Sequence, residues 1–439
     1  MHIFNLLFLT TFLYAQSVKI ASVDPQTVQD SLIHHLSQEE PNQTFHLQNF
    51  GKDFAEYHLT KIDSKIDTVL VRGCDELSPA FQQTFLNPIY DINLTSNPII
   101  KIAEHYQRHY FFIMEKPMTQ LGWVHDNKVG AQFSFSPLFR SSFSGIISAN
   151  KNEEQWELAG EIDLHLENVF QTGNQVGLFW KKVDSLSHKI NLSWFEPHPF
   201  GWQLGAGFSF NHENFGGYYS QQIQKGFVQL YSFNFPQLKL GFVKGITTAS
   251  EKGKIYGYAS NSFDGISASI FSDSRTRRFL PRQGKVMSLE LDVGIHEKET
   301  YSESTFELYF YQPVSHKFHT LIRYKADGIF MPNKSIPKSR LIQYGGISSI
   351  RGYEDLSFSS TQIQMLTLEG EYQPNSTMGF TVFSDVGNSS LNHWGNMKTS
   401  LGFGLKQFQS NMELHLQYAI PKGLGLGDGK LHVKWVSRL

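Results

Sequence analysis

The chain has 439 residues and a formal net charge of −2, with 18% charged and 14% aromatic residues, including 37 Phe and 18 Tyr. Near-neutral charge without a basic stripe excludes a nucleic-acid binder, and the lack of any apolar run of about 18 residues excludes membrane-spanning helices. Many aromatics, 35 Gly and a mean hydropathy of −0.30 fit either a transmembrane β-barrel, in which every second residue faces lipid, or a large soluble β-protein.

Residues 1–16 read as a signal peptide with the apolar core IFNLLFLTTFLYA and a cut near Ala15 or Gln16, although His2 is the only basic residue ahead of that core. Export follows, and the lone Cys74 can form no intramolecular disulfide and is too far from the cut to carry a lipid anchor. Residues 17–63 form a small periplasmic module. Asp24 is placed to N-cap a helix opened by Pro25, with Val28, Leu32, Ile33 and Leu36 as its apolar stripe, and HLQNFGKDFAEYHLTKI gives two short strands. The histidines His34 and His35 fall within that helix, where adjacent side chains diverge and hold no metal together.

Residues 64–137 follow the order β-α-α-β-β. KIDTVLVRG is a strand, SPAFQQTFL and NPIIKIAEHYQRHY are helices, and FFIMEKPMTQLGWV and KVGAQFSFSP are strands. From residue 138 the texture is strand after strand with no helix. GEIDLHLENVF sets Ile162, Leu164 and Leu166 against Glu161, Asp163, His165 and Glu167. VMSLELDVG sets Met287, Leu289, Leu291 and Val293 against Ser288, Glu290 and Asp292. Trp156, Trp180, Trp194, Trp202 and Trp435 lie near strand ends, where an aromatic girdle would stand. The final KLHVKWVSRL alternates Leu431, Val433 and Trp435 outward against His432, Lys434 and Val436, and four glycines, Gly423, Gly425, Gly427 and Gly429, precede it.

The stretch from Leu341 to Asn388 organises the rest. LIQYGGISSIRGYEDLSF carries a Gly345-Gly346 turn and the tip Arg351-Gly352-Tyr353. TQIQMLTLEGEYQP is a strand with Leu366, Leu368 and Tyr372 on one face and Thr367, Glu369 and Glu371 on the other. In MGFTVFSDVGN, Phe383, Asp385 and Gly387 share a face opposite Val382. Arg351 cannot lose its charge, so folding the loop inward requires a carboxylate, and Asp385 and Glu369 are the nearest that face the right way.

IRGY followed by F-x-D-x-G resembles the two signature motifs of the BamA/TamA superfamily, also called the bacterial surface antigen family. The resemblance assigns the inward loop tip to Arg351, Gly352 and Tyr353 and the receiving strand to Phe383, Asp385 and Gly387; Glu369 stands beside them only as the second carboxylate that the strand pattern turns the right way. LENVFQTGNQVGLFW and DSRTRRFLPRQGKVMSLELDV also resemble family turns, so the similarity runs from about Phe139 to Leu439. Residues 64–137 resemble the family's periplasmic POTRA domain, with Arg108-His109-Tyr110 where a glycine-aromatic pair is usual, and residues 17–63 resemble a degenerate copy. The implied fold is mainly β, an antiparallel transmembrane barrel of about sixteen strands over residues 138–439, preceded by the small α/β part. The 302 residues from 138 onward suit that count at roughly 19 per strand and turn, since each crossing needs about 9–11 residues.

No G-x-S-x-G, H-E-x-x-H or P-loop motif and no Cys/His cluster occurs, so no enzyme, cofactor or metal is expected. The resemblance implies a bacterial outer-membrane protein that assembles or translocates other proteins. Its implied partners are outer-membrane lipid, unfolded outer-membrane or secreted clients, and accessory periplasmic or outer-membrane proteins. A dedicated secretion pore or passive channel for one partner is the alternative, and a structural or adhesive surface barrel a third. Strands at Phe139–Asn150 and Lys430–Leu439 are the expected seam.

Overall fold

The computed structural model describes residues 17–21, 24–38, 43–61, 65–90, 99–124, 128–152, 155–182, 186–276, 281–346, 349–354, 356–375, 377–391, 397–409 and 412–438. The signal-peptide reading of residues 1–16 lies outside them. The chain divides into two units: Met1–Asp75, Leu86–Tyr106 and Lys116–Ser136 make the first, and Glu76–Phe85, Gln107–Glu115 and Pro137–Leu439 the second.

In the first unit, β1 (Ser17–Ile20), β2 (Gln43–Phe50) and β3 (Ala55–Lys61) pair antiparallel in the order β1-β3-β2. Helix α1 (Pro25–Gln38) begins where the Asp24 carboxylate accepts from the Thr27 amide at 2.9 Å and the Thr27 hydroxyl at 2.7 Å. Its Val28 and Leu32 pack with Ile20 and Ala55. A second sheet runs β4 (Thr68–Arg72), β6 (Lys128–Ser134), β5 (Met118–Val124), with β4 parallel to β6. In chain order, α2 (Pro79–Phe85, of the second unit), the one-turn α3 (Asn87–Tyr90) and α4 (Ile99–His109, its last residues from Gln107 in the second unit) separate β4 from β5.

Here the sequence reading needs a correction. FFIM is not strand: β5 starts at Met118, and residues 111–117 turn instead, closed by the Ile113 amide on the Tyr110 carbonyl at 2.9 Å. The run has strand propensity, but turning buries Phe112 against Phe139, ring centroids 4.8 Å apart, which a strand would not allow.

The second unit is a closed antiparallel barrel of sixteen strands. They are β7 (Ser142–Asn152), β8 (Gln155–Glu167), β9 (Gln175–Lys182), β10 (His188–Glu196), β11 (Leu204–Phe215), β12 (Tyr219–Leu230), β13 (Gln237–Ala249), β14 (Asn261–Asp273), β15 (Gly284–His296), β16 (Glu299–Pro313) and β17 (Phe318–Phe330), then β20 (Gln362–Tyr372), β21 (Met378–Asn388), β22 (Lys398–Gln409), β23 (Met412–Pro421) and β24 (Lys430–Arg438). Closing the sheet on itself satisfies backbone groups between neighbouring strands, which is how barrels can span a membrane. Alternation holds around the wall: Leu289, Leu291 and Val293 face out and Glu290 and Asp292 face in, where the Lys225 ammonium bonds both carboxylates. Trp194, Trp202 and Trp435 are exposed and Trp180 is half-buried; of the Trp156 side chain nothing is described. Contrary to the expectation of no helix, a five-residue α5 (Glu251–Ile255) caps the β13–β14 loop, with the Ser250 hydroxyl accepting from the Gly253 amide at 2.9 Å.

Chain direction alternates, so the end at which residue 142 enters is the entry end. Residues 331–361 form the long far-end loop. It holds a two-stranded ladder, β18 (Ile342–Tyr344) with β19 (Phe358–Ser360), and between these strands residues 349–354 dip into the lumen.

Candidate functional site

The site is the tip of that loop. Gly352 takes φ 91°, a left-handed conformation that side chains resist, and a Cβ there would also lie 3.1 Å from the Ala419 carbonyl oxygen. That bend lets Arg351 turn onto the wall. Its Nε and Nη2 donate to the two Asp385 oxygens at 2.8 Å each, and its backbone amide donates to Asp385 Oδ2 at 3.1 Å. The remaining terminal nitrogen, Nη1, donates to Glu369 at 3.2 Å and to Gln417 at 3.4 Å. The guanidinium lies 3.4 Å from the centre of the Phe383 ring, a close cation–π stack. All four residues Arg351, Glu369, Phe383 and Asp385 are buried.

The strands dictate this convergence. In β20, inward alternation presents Thr367, Glu369 and Glu371, and in β21 it presents Phe383, Asp385 and Gly387. Thr367 donates its hydroxyl to Asp385 at 2.9 Å, fixing the carboxylate. Gly387 makes room: a Cβ there would collide with Ile350, which is fully buried with Tyr344, Ile363 and Met365. Tyr353 faces away from the ion pair, donating its hydroxyl to the Thr399 carbonyl at 3.1 Å and stacking edge-on to Phe358 at 5.3 Å.

Two further participants, Lys406 and Arg340, were not singled out from the sequence. Lys406 bonds Glu369 at 2.8 Å and also Glu371, so two cations meet three carboxylates. Its inward place in LGFGLKQ could have been read from alternation. Arg340 could not. At the base of the loop it stacks 3.6 Å over Phe263 of β14 and donates to Glu303 of β16 at 2.6 Å, joining three positions scattered in sequence. The tip also touches the last strand: the Gly352 amide donates to His432 at 3.4 Å, and Lys430 pairs with Glu354 at 3.2 Å.

Around the wall the seam differs from its neighbours. β24 meets β7 at only three register positions, Val436–Ser144, Ser437–Phe143 and Arg438–Ser142, whereas β7 meets β8 at eleven and β23 meets β24 at eight. Residues 430–435 of β24 thus have no β7 partner among the described residues.

At the entry end, residues 107–115 are tied to barrel turns. Tyr110 donates its hydroxyl to His198 Nε2 at 2.8 Å, and His198 Nδ1 donates to the Trp202 carbonyl at 2.8 Å. Burial pushes His198 down to about 4, against the smaller upward pull of that carbonyl, and also lowers His109. Among the described residues no His/Cys/Asp/Glu group has metal-ligand geometry.

Comparison with known proteins adds the following. The family described as the Omp85 superfamily domain matches residues 168–426. No curated protein sequence matches the chain. Among solved structures, BamA from Haemophilus ducreyi lacking POTRA domains 1–3 is similar, with TM-score 0.55 and 13% identity over 94% of this chain and 93% of that one. CdiB from Acinetobacter baumannii gives 0.58 and 13% over 94% and 81%. CdiB from Escherichia coli gives 0.59 and 11% over 95% and 85%. At such identities the likeness is one of fold.

Proposed function

The chain belongs to the Omp85 superfamily, and on that premise we propose that this outer-membrane barrel assembles client proteins by opening its β24–β7 seam. The observation that carries the reading is the three-position seam. The stretch of β24 ahead of Val436, which has no β7 register partner among the described residues, offers an edge on which an incoming strand can add backbone hydrogen bonds one by one, without nucleotide or catalysis. Arg351, Gly352, Tyr353, Phe383, Asp385 and Gly387, with Glu369, then serve to hold the far-end loop in the lumen, keeping the pore shut and the wall beside the seam in register. Clients are unfolded outer-membrane or secreted proteins, with accessory proteins at either face.

The test is a reversible lock. Ser144→Cys with Val436→Cys, placed opposite one another in the seam, should abolish client assembly when oxidised and restore it on reduction. Activity undiminished by the closed disulfide overturns seam opening. It would favour the second reading, a dedicated secretion pore, which the loop lying in the lumen supports. Depletion followed by a census of outer-membrane proteins separates them further: broad loss fits assembly, and loss of one exported species fits a dedicated pore.

A further inference from the structure

Residues 107–114 meet the entry end of the barrel without filling it. A cavity of about 280 Å³ lies between this segment and the wall at the starts of β9 and β13 and the end of β14, all of it within the second unit. The wall residues are inward ones. Gln237 stands opposite Phe271 and Gln175 opposite Phe195, and Lys239 alternates with Leu240, which is exposed on the lipid face.

Charge around the cavity is unbalanced. Its lining includes three cations, Arg108, Lys239 and Arg275, and one carboxylate, Asp273. Asp273 is committed to Arg275, whose Nε donates to Oδ1 at 3.0 Å and Nη2 to Oδ2 at 2.5 Å. Farther along the wall, Glu290 and Asp292 are held by Lys225. Among the described residues no ion pair reaches Lys239; its ammonium lies over the rings of Phe227 at 4.6 Å and Phe195 at 5.6 Å. A ring face attracts a cation less strongly than a carboxylate at hydrogen-bond distance, so Lys239 is left under-neutralised. The rest of the lining includes the apolar side chains of Phe111, Met114 and Phe271. The segment that carries two of them is fixed in place: Gln107 Nε2 donates to the Met114 carbonyl at 2.8 Å, and Gln237 Nε2 to the Arg108 carbonyl at 3.0 Å.

We propose that this cavity binds a small organic acid, one carboxylate on a short apolar stem, with the head on the Lys239 ammonium and the stem against Phe111, Met114 and Phe271. A concave, preformed space with apolar walls and a polar anchor is the usual form of a small-molecule site, and its volume falls just below the roughly 300–1,000 Å³ of drug-sized pockets, which keeps the stem short. A bound acid would bridge residues 107–114 to β13 and so strengthen that junction by mass action. The inference rests on the inner wall of the barrel and not on client assembly, so it stands or falls separately from the seam.

The test titrates sodium hexanoate, with hexanamide as its uncharged analogue, into the full folded chain in dodecyl maltoside micelles. Binding is read by saturation-transfer NMR against empty micelles, and folding of each variant is checked by heat-modifiable mobility. Expected are saturable binding of hexanoate, none of hexanamide, and acetate weaker by about tenfold or more, since each buried methylene is worth roughly fourfold in affinity. Lys239→Gln should weaken hexanoate about tenfold, as the loss of one charge-assisted bond does, and Lys239→Arg should keep most of the affinity. Met114→Glu, which sets a carboxylate in the apolar side, should abolish binding and serves where Lys239→Gln does not fold. Lys244→Gln, at an exposed outer-face position of β13, should bind as the parent does. Equal binding of hexanoate and hexanamide overturns the site, as does unchanged affinity in either folded lining variant. Acetate or inorganic phosphate binding as tightly as hexanoate overturns the organic acid in favour of a simple anion, and no saturable binding to the parent chain overturns the proposal outright.

Discussion

At the scale of single residues, the Arg351 cluster ranks its own mutations. Arg351→Ala leaves Asp385 buried with the Thr367 hydroxyl donating to it and uncovers Phe383; Asp385→Ala leaves Arg351 with Glu369 and Gln417. Each breaks a buried pair, at a cost on the order of 3–5 kcal/mol. Glu369→Gln removes less, because Arg351 keeps Asp385 and Lys406 keeps Glu371, and about 1–3 kcal/mol is expected. Urea midpoints of the folded barrel should fall in that order, and the Arg351/Asp385 double mutant should lose no more than the sum. A Glu369→Gln loss as large as that of Arg351→Ala would show Lys406 to be the cation that matters. His198 gives a pH prediction. Its folded value of about 4 lies below the unfolded 6.5, so the neutral ring stabilises above 6.5 and that contribution fades as pH falls toward 4. The loss is about 2 kcal/mol at pH 5, to be read as faster hydrogen exchange or proteolysis at residues 107–115 and the 197–203 turn. His198→Gln should flatten the profile. These residues also mark the limits of sequence reading. Arg351 and Asp385 could be brought together from charge, alternation and motif spacing, whereas Arg340, Phe263 and Glu303 come from a loop and two strands with no spacing that links them.

At the scale of elements, the far-end loop is fastened twice, by Arg340 at its base and Arg351 at its tip, each stacked on a Phe and bonded to a carboxylate. Planar-bilayer recordings should therefore show two grades of leak. Arg340→Ala should raise open-pore current modestly with the tip still docked, Gly352→Val should raise it more by forcing the bend, and the pair should exceed either alone. No change for Arg340→Ala would make the base contact incidental. Strands were the most readable elements because one face meets lipid and alternation must follow. Turns were not: FFIM reads locally as strand, and packing of Phe112 on Phe85 and on the distant Phe139 goes with the bend instead.

At the scale of the molecule, a closed sixteen-strand ladder predicts strand-rich circular dichroism in detergent and a folded form that migrates apart from the boiled one on a gel; coincident bands would count against closure. That architecture was legible because strand recurrence and the paired motifs agreed, where composition alone left a large soluble β-protein open. The weak seam was legible only as a location. How few pairs close it depends on how far β24 slides past β7, and no residue pattern states a stagger.

The doubly fastened loop has a mechanical corollary. A hoop cut at one point unrolls unless something spans it, and here the loop is a chord from β14 and β16 to β20, β21, β23 and β24. With the seam parted, the arc β14–β24 keeps its curvature, because straightening it would have to stretch the chord. The loop base also reaches β12, where Gln221 Nε2 donates to the Ser339 carbonyl at 3.5 Å, and β13, where Val243 packs with Met331; if the seam parts as proposed, the moving arc is the shorter run β7–β11, and β24 is the jamb against which an arriving strand would be laid.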